Sequence, residues 1–247
     1  EHDSERISGM FELDGMSKAI SEEYADVLFV NTCTIRENAD DKLYGTLGQL
    51  KQWKSQKDKR KLLVGGCAAQ KDKELVREKA PWVDVVIGTH NLTNVVDLLN
   101  RSEDWGPLTE IIDEIETLPT EAPSIRESEY SAWLTIQIGC NNSCTFCIVP
   151  SVRGKEISRR PSDIVNEAKK LVNEGVKEIT LLGQNVNSYG RDLKIEGKAR
   201  PYFSQLLEQL NEIKGLERIR FTSPHPKDFK AETIQSVKKL KKVCNQV

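Results

Sequence analysis

The sequence predicts an α/β protein in which an N-terminal open parallel α/β sheet is followed by a partial (βα) barrel. Short apolar runs alternate with helical patterns three times before residue 101 and three more times after residue 130. Such alternation is typical of parallel sheets. Between the two series, residues 101–130 are rich in acidic side chains and interrupted by prolines, as expected of a linker that contains one strand near 108–112. We therefore expect a first domain at 1–100, a linker at 101–130 and a second domain at 131–247.

Size and composition narrow the class of protein. The 247 residues include 38% hydrophobic and 30% charged side chains, with a formal net charge of −2, so overall charge does not indicate nucleic-acid binding. No apolar run approaches the roughly 18 residues needed for a membrane span, and no secretory leader pattern is present. Six cysteines without those signals favour a reducing compartment, so we expect a cytoplasmic protein with no membrane partner.

The first domain is expected to hold three strands, each followed by a loop and a helix. Strands are predicted at 26–30, 61–64 and 83–87, and helices at 3–11, 37–54, 71–80 and 91–100, with Asn91 capping the last helix. Right-handed crossovers bring the carboxyl ends of parallel strands to one edge. Cys33 and Cys67 each follow a strand end, so they are expected to face one crevice. Spacing alone leaves two interpretations, a shared metal site or two buried apolar side chains.

The second domain repeats the pattern and begins a barrel. Strands are predicted at 132–138, 178–182 and 217–221, and helices at 161–174, 202–213 and 228–241. Pro161 suits the first position of a helix, and Gly175 suits the position just past its end. Three such units are too few to close a barrel, and the chain starts at Glu1 without an initiator Met. We interpret the chain as part of a longer protein.

Cys140, Cys144 and Cys147 form the pattern C-x3-C-x2-C on a predicted βα loop. Three thiolates can ligate three irons of a 4Fe–4S cluster and leave the fourth iron for a small molecule. The alternative is a structural zinc site, which needs four ligands, and no histidine lies near these cysteines in sequence. A disulfide framework is not expected in a chain of this size that has few cysteines and no secretory leader pattern.

This spacing resembles that of the radical S-adenosylmethionine (SAM) enzymes, and the wider pattern resembles the radical SAM methylthiotransferases from Glu1 to Val247. The matching stretches are His2 to Arg6, Asn31 to Cys33, Arg36 to Ala39, Gly65 to Cys67, Ala80 to Asp84, Gly88 to Asn91, Gly139 to Pro150, Arg153 to Glu156, Leu182 to Asn187 and Phe221 to Pro226. The resemblance implies a methylthiotransferase domain followed by a partial radical SAM barrel.

The family resemblance implies two 4Fe–4S clusters. Cys140, Cys144 and Cys147 are implied to hold the SAM-cleaving cluster. Cys33 and Cys67 are implied to hold an auxiliary cluster, together with a family cysteine from a stretch ahead of His2. That stretch, the end of the barrel and a C-terminal TRAM domain are expected to lie outside these residues, which leaves the activity of this chain open.

The implied reaction adds a methylthio group to C2 of N6-dimethylallyladenosine, next to the anticodon of a tRNA, with SAM as the source of both methyl group and radical. The implied partners are the tRNA, a reductant such as flavodoxin or ferredoxin, and a sulfur donor, and we expect a monomer. Two rival functions stay open. One is a sibling enzyme acting on threonylcarbamoyl-adenosine or on a ribosomal protein, and the other is an inactive iron–sulfur binding fragment.

Further candidates flank the cysteines and have two interpretations each. Phe146 is expected to pack on the SAM adenine or to belong to the core. Gln184, Asn185 and Asn187 are expected to contact SAM at the rim, or else to cap loops. Arg153, Lys155, Arg159 and Arg160 form a basic loop for RNA phosphates, or a solvated face. His225 is a substrate-pocket residue or a turn residue.

Overall fold

Parallel strands organise two separate units of the chain. The computed structural model describes residues 2–34, 39–115, 125–126, 128–195, 198–199 and 201–245. The first unit contains the described residues up to Ile115, with Ile125 and Ser143–Arg153. The second unit contains the described residues of 126–142 and 154–245. The stretch with Cys144 and Cys147 is thus grouped with the first unit, whereas Cys140 is grouped with the second.

The first unit is built on a parallel sheet, as the sequence predicts. Its four strands lie in the order β1-β2-β3-β4. Their bounds are β1 Val27–Thr32, β2 Lys61–Gly66, β3 Val85–Ile87 and β4 Leu108–Glu110. The fourth strand falls inside residues 101–130, where the sequence predicts a linker with one strand near 108–112. Its pairing with β3 places it at the sheet edge.

Helices cover both faces of this first sheet. They are α1 His2–Leu13, α2 Ala39–Ser55, α3 Cys67–Asp72, α4 Leu75–Lys79, α5 Val95–Trp105 and α6 Val149–Arg153. Two short 3-10 turns lie at Glu22–Tyr24 and Leu92–Asn94. Because side chains alternate along a strand, Leu62 packs in the core that contains Leu47 of α2. Leu63 packs in the opposite core, with Ile7 of α1 and Leu98 of α5.

Three local predictions for the first unit differ from the structure. The helix predicted at 71–80 is two short helices, because Lys73 adopts φ 50° between α3 and α4. The first of the two helices, α3, also begins earlier than predicted, at Cys67. Asn91 makes no side-chain cap; its Nδ2 donates instead to the Glu110 carbonyl at 2.9 Å. The helix predicted to end at residue 100 continues to Trp105.

The second unit contains a parallel sheet of three strands, in the order β11-β8-β5. Strand bounds in this unit are β5 Ser131–Thr135, β6 Gln137–Ile138, β7 Ile157–Ser158, β8 Glu178–Leu182, β9 Lys194–Ile195, β10 Lys198–Ala199 and β11 Arg218–Phe221. The short pairs β6–β7 and β9–β10 are antiparallel. The strand predicted at 132–138 is divided at Ile136, because β6 leaves the parallel sheet to pair with β7.

Three longer helices pack on this second sheet. They are α7 Pro161–Asn173, α8 Phe203–Asn211 and α9 Ala231–Lys239, with 3-10 turns at Val186–Ser188 and Pro226–Asp228. Pro161 occupies the start of α7, and Gly175 has φ 103° just past its end, as predicted. The parallel α/β fold class is confirmed for both units. Among the residues described, no helix is both long and apolar enough to cross a membrane.

Candidate functional site

Cys33 and Cys67 lie at the carboxyl edge of the first sheet. Thr32 and Gly66 are partners across β1 and β2, and each cysteine is the next residue along its chain. Neighbouring strands are about 4.8 Å apart, so both cysteines follow adjacent strand ends. Cys33 is exposed and Cys67 is buried. The edge therefore presents one thiol outward and holds the other inside the unit.

Backbone and hydroxyl contacts fix the turn that carries the buried cysteine. Thr32 Oγ1 donates to the Gly65 carbonyl at 2.6 Å and accepts from the amides of Ala68 and Ala69 at 3.1 and 3.3 Å. These two amides lie in the first turn of α3, where backbone N–H groups have no hydrogen-bond acceptor within the helix. Gly66 has φ 96°, and a Cβ there would lie 2.5 Å from the Thr32 carbonyl oxygen. Only glycine fits, so this turn is specified by its sequence.

A cation stands beside Cys67. Arg153 Nη2 donates to Asp3 Oδ2 at 2.9 Å, and Arg153 also makes a side-chain interaction with Cys67. Burial disfavours charge on Arg153, but Asp3 and Cys67 raise the pKa of its guanidinium above the ordinary value. Burial likewise opposes charge on Asp3, yet Arg153 holds the pKa of that carboxyl below its usual range. The buried cysteine thus faces a charged ion pair.

His90 follows β3, which lies beside β2, and so belongs to the same edge as the two cysteines. It is 9% exposed, and neither ring nitrogen has a hydrogen-bond partner among the described residues. Burial lowers the pKa of His90, the charge of Arg153 lowers it further, and Asp113 opposes both. The imidazole is therefore neutral at neutral pH.

The C-x3-C-x2-C loop starts from a pinned backbone in the second unit. The Gly139 amide donates to Gln184 Oε1 at 2.6 Å, and the Cys140 amide donates to the Gly154 carbonyl at 3.1 Å. Gly139 has φ 74°, and a Cβ there would lie 2.0 Å from the Lys155 carbonyl oxygen. The position of Cys140 therefore depends on this glycine and on Gln184.

Cys144 and Cys147 lie on one turn of the first unit. The Cys147 amide donates to the Cys144 carbonyl at 3.1 Å, and both side chains are exposed, whereas Cys140 is buried. Among the residues described, no three His, Cys, Asp or Glu side chains converge to hold a metal ion. A preformed tetrahedral zinc site is thus not found there. Three thiol donors on one loop are the ligand type that an iron–sulfur cluster uses.

Two of the predicted SAM contacts are held in internal hydrogen bonds. Asn187 donates through Nδ2 to the His225 carbonyl at 2.9 Å and accepts through Oδ1 from the His225 amide at 2.8 Å. Both polar atoms of its side chain therefore fix the loop after β11, which is the loop-capping interpretation. Gln184 Oε1 is bound to Gly139 as described. His225 Nδ1 accepts from the Lys227 amide at 3.2 Å, as a turn residue does.

The other two predicted SAM contacts keep capacity for a ligand. Asn185 is fully buried and donates to Asp228 Oδ2 at 2.7 Å, but its Oδ1 has no hydrogen-bond partner among the described residues. The buried Gln137 Oε1 is in the same situation. Phe146 is 99% exposed, which excludes the core interpretation for that residue.

The basic loop expected to bind RNA phosphates divides into two inner and two outer side chains. Arg153 pairs with Asp3, and Arg159 donates to the Thr135 carbonyl at 2.9 Å and pairs with Glu167 at 2.5 Å. Both guanidinium groups are therefore used within their own units, and this corrects the prediction for them. Lys155 and Arg160 are exposed and remain suited to a phosphate.

Sequence reasoning did not single out three polar residues that the structure places in these loops. They are Asp3, Gln137 and Asp228. Asp228 is 1% exposed; burial tends to raise the pKa of its carboxyl, but hydrogen bonds from Asn185 and Arg191 hold that pKa below its usual range. Asp3 lies in one of the stretches that resemble the family, so its motif was a usable signal. Gln137 and Asp228 have no such signal, because their partners are distant in sequence.

Comparison with protein families gives two matches. Residues 1–88 match the Uncharacterized protein family UPF0004, and residues 134–247 match the Radical SAM superfamily. Similar curated proteins are the tRNA-2-methylthio-N(6)-dimethylallyladenosine synthases of Corynebacterium efficiens, 50% identical over 250 residues, and of Tropheryma whipplei, 53% identical over 247 residues. Each alignment covers 100% of this chain, with 48% and 52% of the relative. The chain thus spans about half the length of the curated relatives it matches.

Solved structures of low sequence identity have a related fold. The radical S-adenosylmethionine methyltransferase TsrM of Kitasatospora setae, with tryptophan and a SAM analogue bound, matches with a TM-score of 0.51 and 10% identity, covering 93% of this chain and 49% of that one. The same enzyme with cobalamin and a [4Fe-4S] cluster matches with a TM-score of 0.51 and 12% identity, covering 92% and 48%. At such identities the match supports the fold alone.

Proposed function

Because the chain belongs to the radical SAM methylthiotransferase family, we propose that it serves to add a methylthio group to C2 of N6-dimethylallyladenosine in tRNA. The observation that carries this proposal is 50% identity along the whole chain to relatives named for that product. The three-cysteine loop supplies the chemical reason, because replacing hydrogen on an aromatic carbon requires a reactive species that side chains alone do not provide.

The SAM-cleaving 4Fe–4S cluster is assigned to Cys140, Cys144 and Cys147. Three thiolates would hold three irons of the cluster and leave one iron open to SAM. The chemistry of the donor set suits this group, since all three donors are thiols on one loop, although the three side chains are not gathered around one point in the structure. The Gly139 turn pins the first cysteine, and a tight turn joins the other two. When bound, the cluster and SAM would supply the radical that removes hydrogen from the adenine carbon.

An auxiliary 4Fe–4S cluster is assigned to the edge that holds Cys33 and Cys67. Two thiols after adjacent parallel strands fit a shared inorganic cluster, and Arg153 adds a positive charge that suits an anionic cluster–thiolate centre. Two thiolates are too few to hold a 4Fe–4S cluster, so this site needs at least one further ligand. The sulfur of the methylthio group is assigned to this site or to an added sulfur donor.

Several side chains of the chain are assigned to positioning SAM. Phe146 is exposed beside the last cysteine of the loop, where an aromatic ring can stack on adenine. Asn185 Oδ1 and Gln137 Oε1 are buried acceptors that lack a partner among the described residues, and buried acceptors generally require one. We assign them to donor groups of SAM. Gln184 and Asn187 are assigned an indirect role, because their side chains hold the backbone of Gly139 and of His225 by hydrogen bonds.

The tRNA is the proposed partner of Lys155 and Arg160, whose exposed charges can contact phosphates. The modified adenosine must leave its stack to reach a buried radical centre. The reaction also requires a one-electron reductant, for which flavodoxin or ferredoxin is the proposed class.

The first test is SAM cleavage by the anaerobically iron-reconstituted chain with a strong reductant. We expect 5′-deoxyadenosine from the wild-type chain and none from Cys144→Ala. The matched control is Cys244→Ala, which removes a partly buried cysteine outside the loop and should retain the activity. Colour change on reduction with intact SAM would instead indicate an electron carrier and contradict the assignment.

The second test concerns the product and uses a chain extended to the length of the relatives. It is incubated with SAM, reductant and tRNA carrying N6-dimethylallyladenosine, and the digested tRNA is analysed by mass spectrometry. We expect the methylthio nucleoside. Product only from tRNA with threonylcarbamoyl-adenosine would assign the sibling activity and overturn the proposed substrate.

A further inference from the structure

Helix α6 joins the cysteine loop to the buried cysteine of the first sheet. It follows Cys147 closely in sequence and packs on α3, whose first residue is Cys67. The Val152 carbonyl of α6 accepts from Thr89 Oγ1 at 2.7 Å. Thr89 in turn donates through its amide to Gln70 Oε1 of α3 at 2.9 Å. The end of α6 is therefore fixed to the edge that carries Cys67.

Arg153, the last residue of α6, uses this placement to reach two groups. Its guanidinium is bonded to Asp3 at 2.9 Å and interacts with the Cys67 side chain. The side chains of Arg153 and Asp3 are 19% and 26% exposed. A largely buried guanidinium is stable only where its several donors find acceptors, and the carboxylate and the sulfur provide them here.

We propose that Arg153 is a positioning residue for the Cys67 sulfur, tying the stretch with Cys144 and Cys147 to the cysteine of the auxiliary site. The effect on a cluster rests on the proposed function, whereas the contact between the two side chains does not. Residues that hydrogen-bond to metal ligands orient them and tune the metal. For iron–sulfur clusters, hydrogen bonds to sulfur and the nearby net charge set the reduction potential.

A thermodynamic cycle tests the contact without any metal. Urea unfolding midpoints are measured for the iron-free chain with Arg153→Met, Cys67→Ala and both changes. Contacting residues give non-additive effects, whereas distant ones add. We expect Arg153→Met to be less destabilising once Cys67 is absent. The control cycle pairs Arg153→Met with Cys33→Ala, an exposed cysteine, and should be additive.

An equal effect of Arg153→Met with and without Cys67 would overturn the proposal. Should Arg153→Met fail to fold, Arg153→Lys takes its place in both cycles, because it keeps the charge but loses the planar fork of donors. Absence of SAM cleavage by the wild-type, iron-reconstituted chain would refute the proposed function but would not affect the iron-free cycle. Failure of the proposed function and failure of the Arg153–Cys67 contact are therefore distinguishable.

The reduction potential tests the consequence for the cluster. The protein used here is extended to the length of the relatives, so that the further ligand implied by the family resemblance is present. It is loaded with iron and carries alanine at Cys140, Cys144 and Cys147, so that the signal comes from the auxiliary site. Arg153→Met should lower the potential, because a cation and a donor are lost. Asp3→Asn should raise it, because a negative charge is lost. Arg101→Met, which breaks ion pairs with Asp97 and Glu110, should leave it unchanged.

A purely structural role for Arg153 would give no shift, or shifts of the same sign for Arg153→Met and Asp3→Asn, and either result would overturn the tuning. Failure of the triple-alanine protein to take up iron would refute the auxiliary-cluster assignment. The iron-free cycle would then decide alone on the Arg153–Cys67 contact.

Discussion

Arg159 and Arg160 are neighbours in the loop after the cysteines, yet one side chain is buried and the other is exposed. Arg159 is buried, bonded to the Thr135 carbonyl and paired with Glu167, while Arg160 is exposed. A buried group bonded to backbone and carboxylate contributes to stability, because its removal leaves those partners unsatisfied. An exposed arginine contributes little to stability and is available to a ligand.

We therefore expect Arg159→Met to lower the free energy of unfolding by roughly 1–3 kcal/mol, the usual cost of leaving buried partners unpaired. Arg160→Met is the matched control and should change it by less than about 0.5 kcal/mol. Urea denaturation of the two variants checks this. Equal stabilities would show that the Glu167 pair and the Thr135 bond contribute nothing.

His90 predicts a pH dependence of stability. Its pKa is lowered in the folded chain by burial and Arg153, against Asp113, so the unfolded chain binds more protons at mildly acidic pH. Stability should therefore fall as pH drops below about 6.5, the ordinary histidine value, towards the folded pKa, and the effect should be absent above it. Urea midpoints between about pH 5 and about pH 8 are compared for the wild-type chain and His90→Gln.

The expected difference is a steeper loss of stability in the wild-type chain on the acid side of the histidine range. The charged groups facing His90 are Arg153 and Asp113, and the latter is paired with Lys73. The Asp3 carboxyl has a lowered pKa and is deprotonated throughout this pH window. Identical pH profiles for both chains would contradict a depressed His90 pKa.

At the scale of elements, a buried glycine and an exposed glycine have opposite roles. Gly139 adopts φ 74° against the Lys155 carbonyl at the entrance to the cysteine loop, and a Cβ would lie 2.0 Å from that oxygen. Gly48 lies exposed inside α2, with no atom within 4 Å of an added Cβ. The first is required by the backbone, whereas the second weakens its helix.

Gly139→Ala should lower the free energy of unfolding by more than about 1 kcal/mol, because a left-handed conformation and a clash with backbone are both unfavourable. It should also lower iron uptake by the loop, since Cys140 follows directly. Gly48→Ala is the control and should raise stability by up to about 1 kcal/mol. Thermal melts and iron analysis check both. Normal iron uptake by Gly139→Ala would show that the turn does not position Cys140.

Element boundaries were predicted well where the signal is local. The strand at 178–182 and the start of α7 at Pro161 agree with the structure, because apolar alternation and helix-start residues act over a few positions. The helix predicted at 71–80 was wrong, since Lys73 takes a left-handed conformation that no local residue demands. The strand expected near 108–112 is present at 108–110, but the sequence assigned it to a linker and not to the first sheet, because its pairing partner is distant in sequence.

At the scale of the whole molecule, the two cysteine sets are expected to bind iron independently. In a protein of the relatives' length, Cys67→Ala should remove about four irons, one 4Fe–4S cluster, and leave SAM cleavage measurable. Cys144→Ala should remove a similar amount of iron and abolish cleavage. Iron analysis and 5′-deoxyadenosine assays on both variants check this. Loss of all iron in Cys67→Ala would contradict two separate clusters.

The sequence by itself determined the parallel α/β class, the family resemblance and the cysteine pattern of this protein. These follow from apolar periodicity and short motifs, which need no knowledge of distant contacts. The tertiary structure alone decided which polar residues face inward. Asp3 and Arg153 are 150 residues apart in sequence, and Asn187 reaches His225 across 38 residues. Such pairings arise only when strands assemble and buried polar groups must find partners, so no local pattern could reveal them.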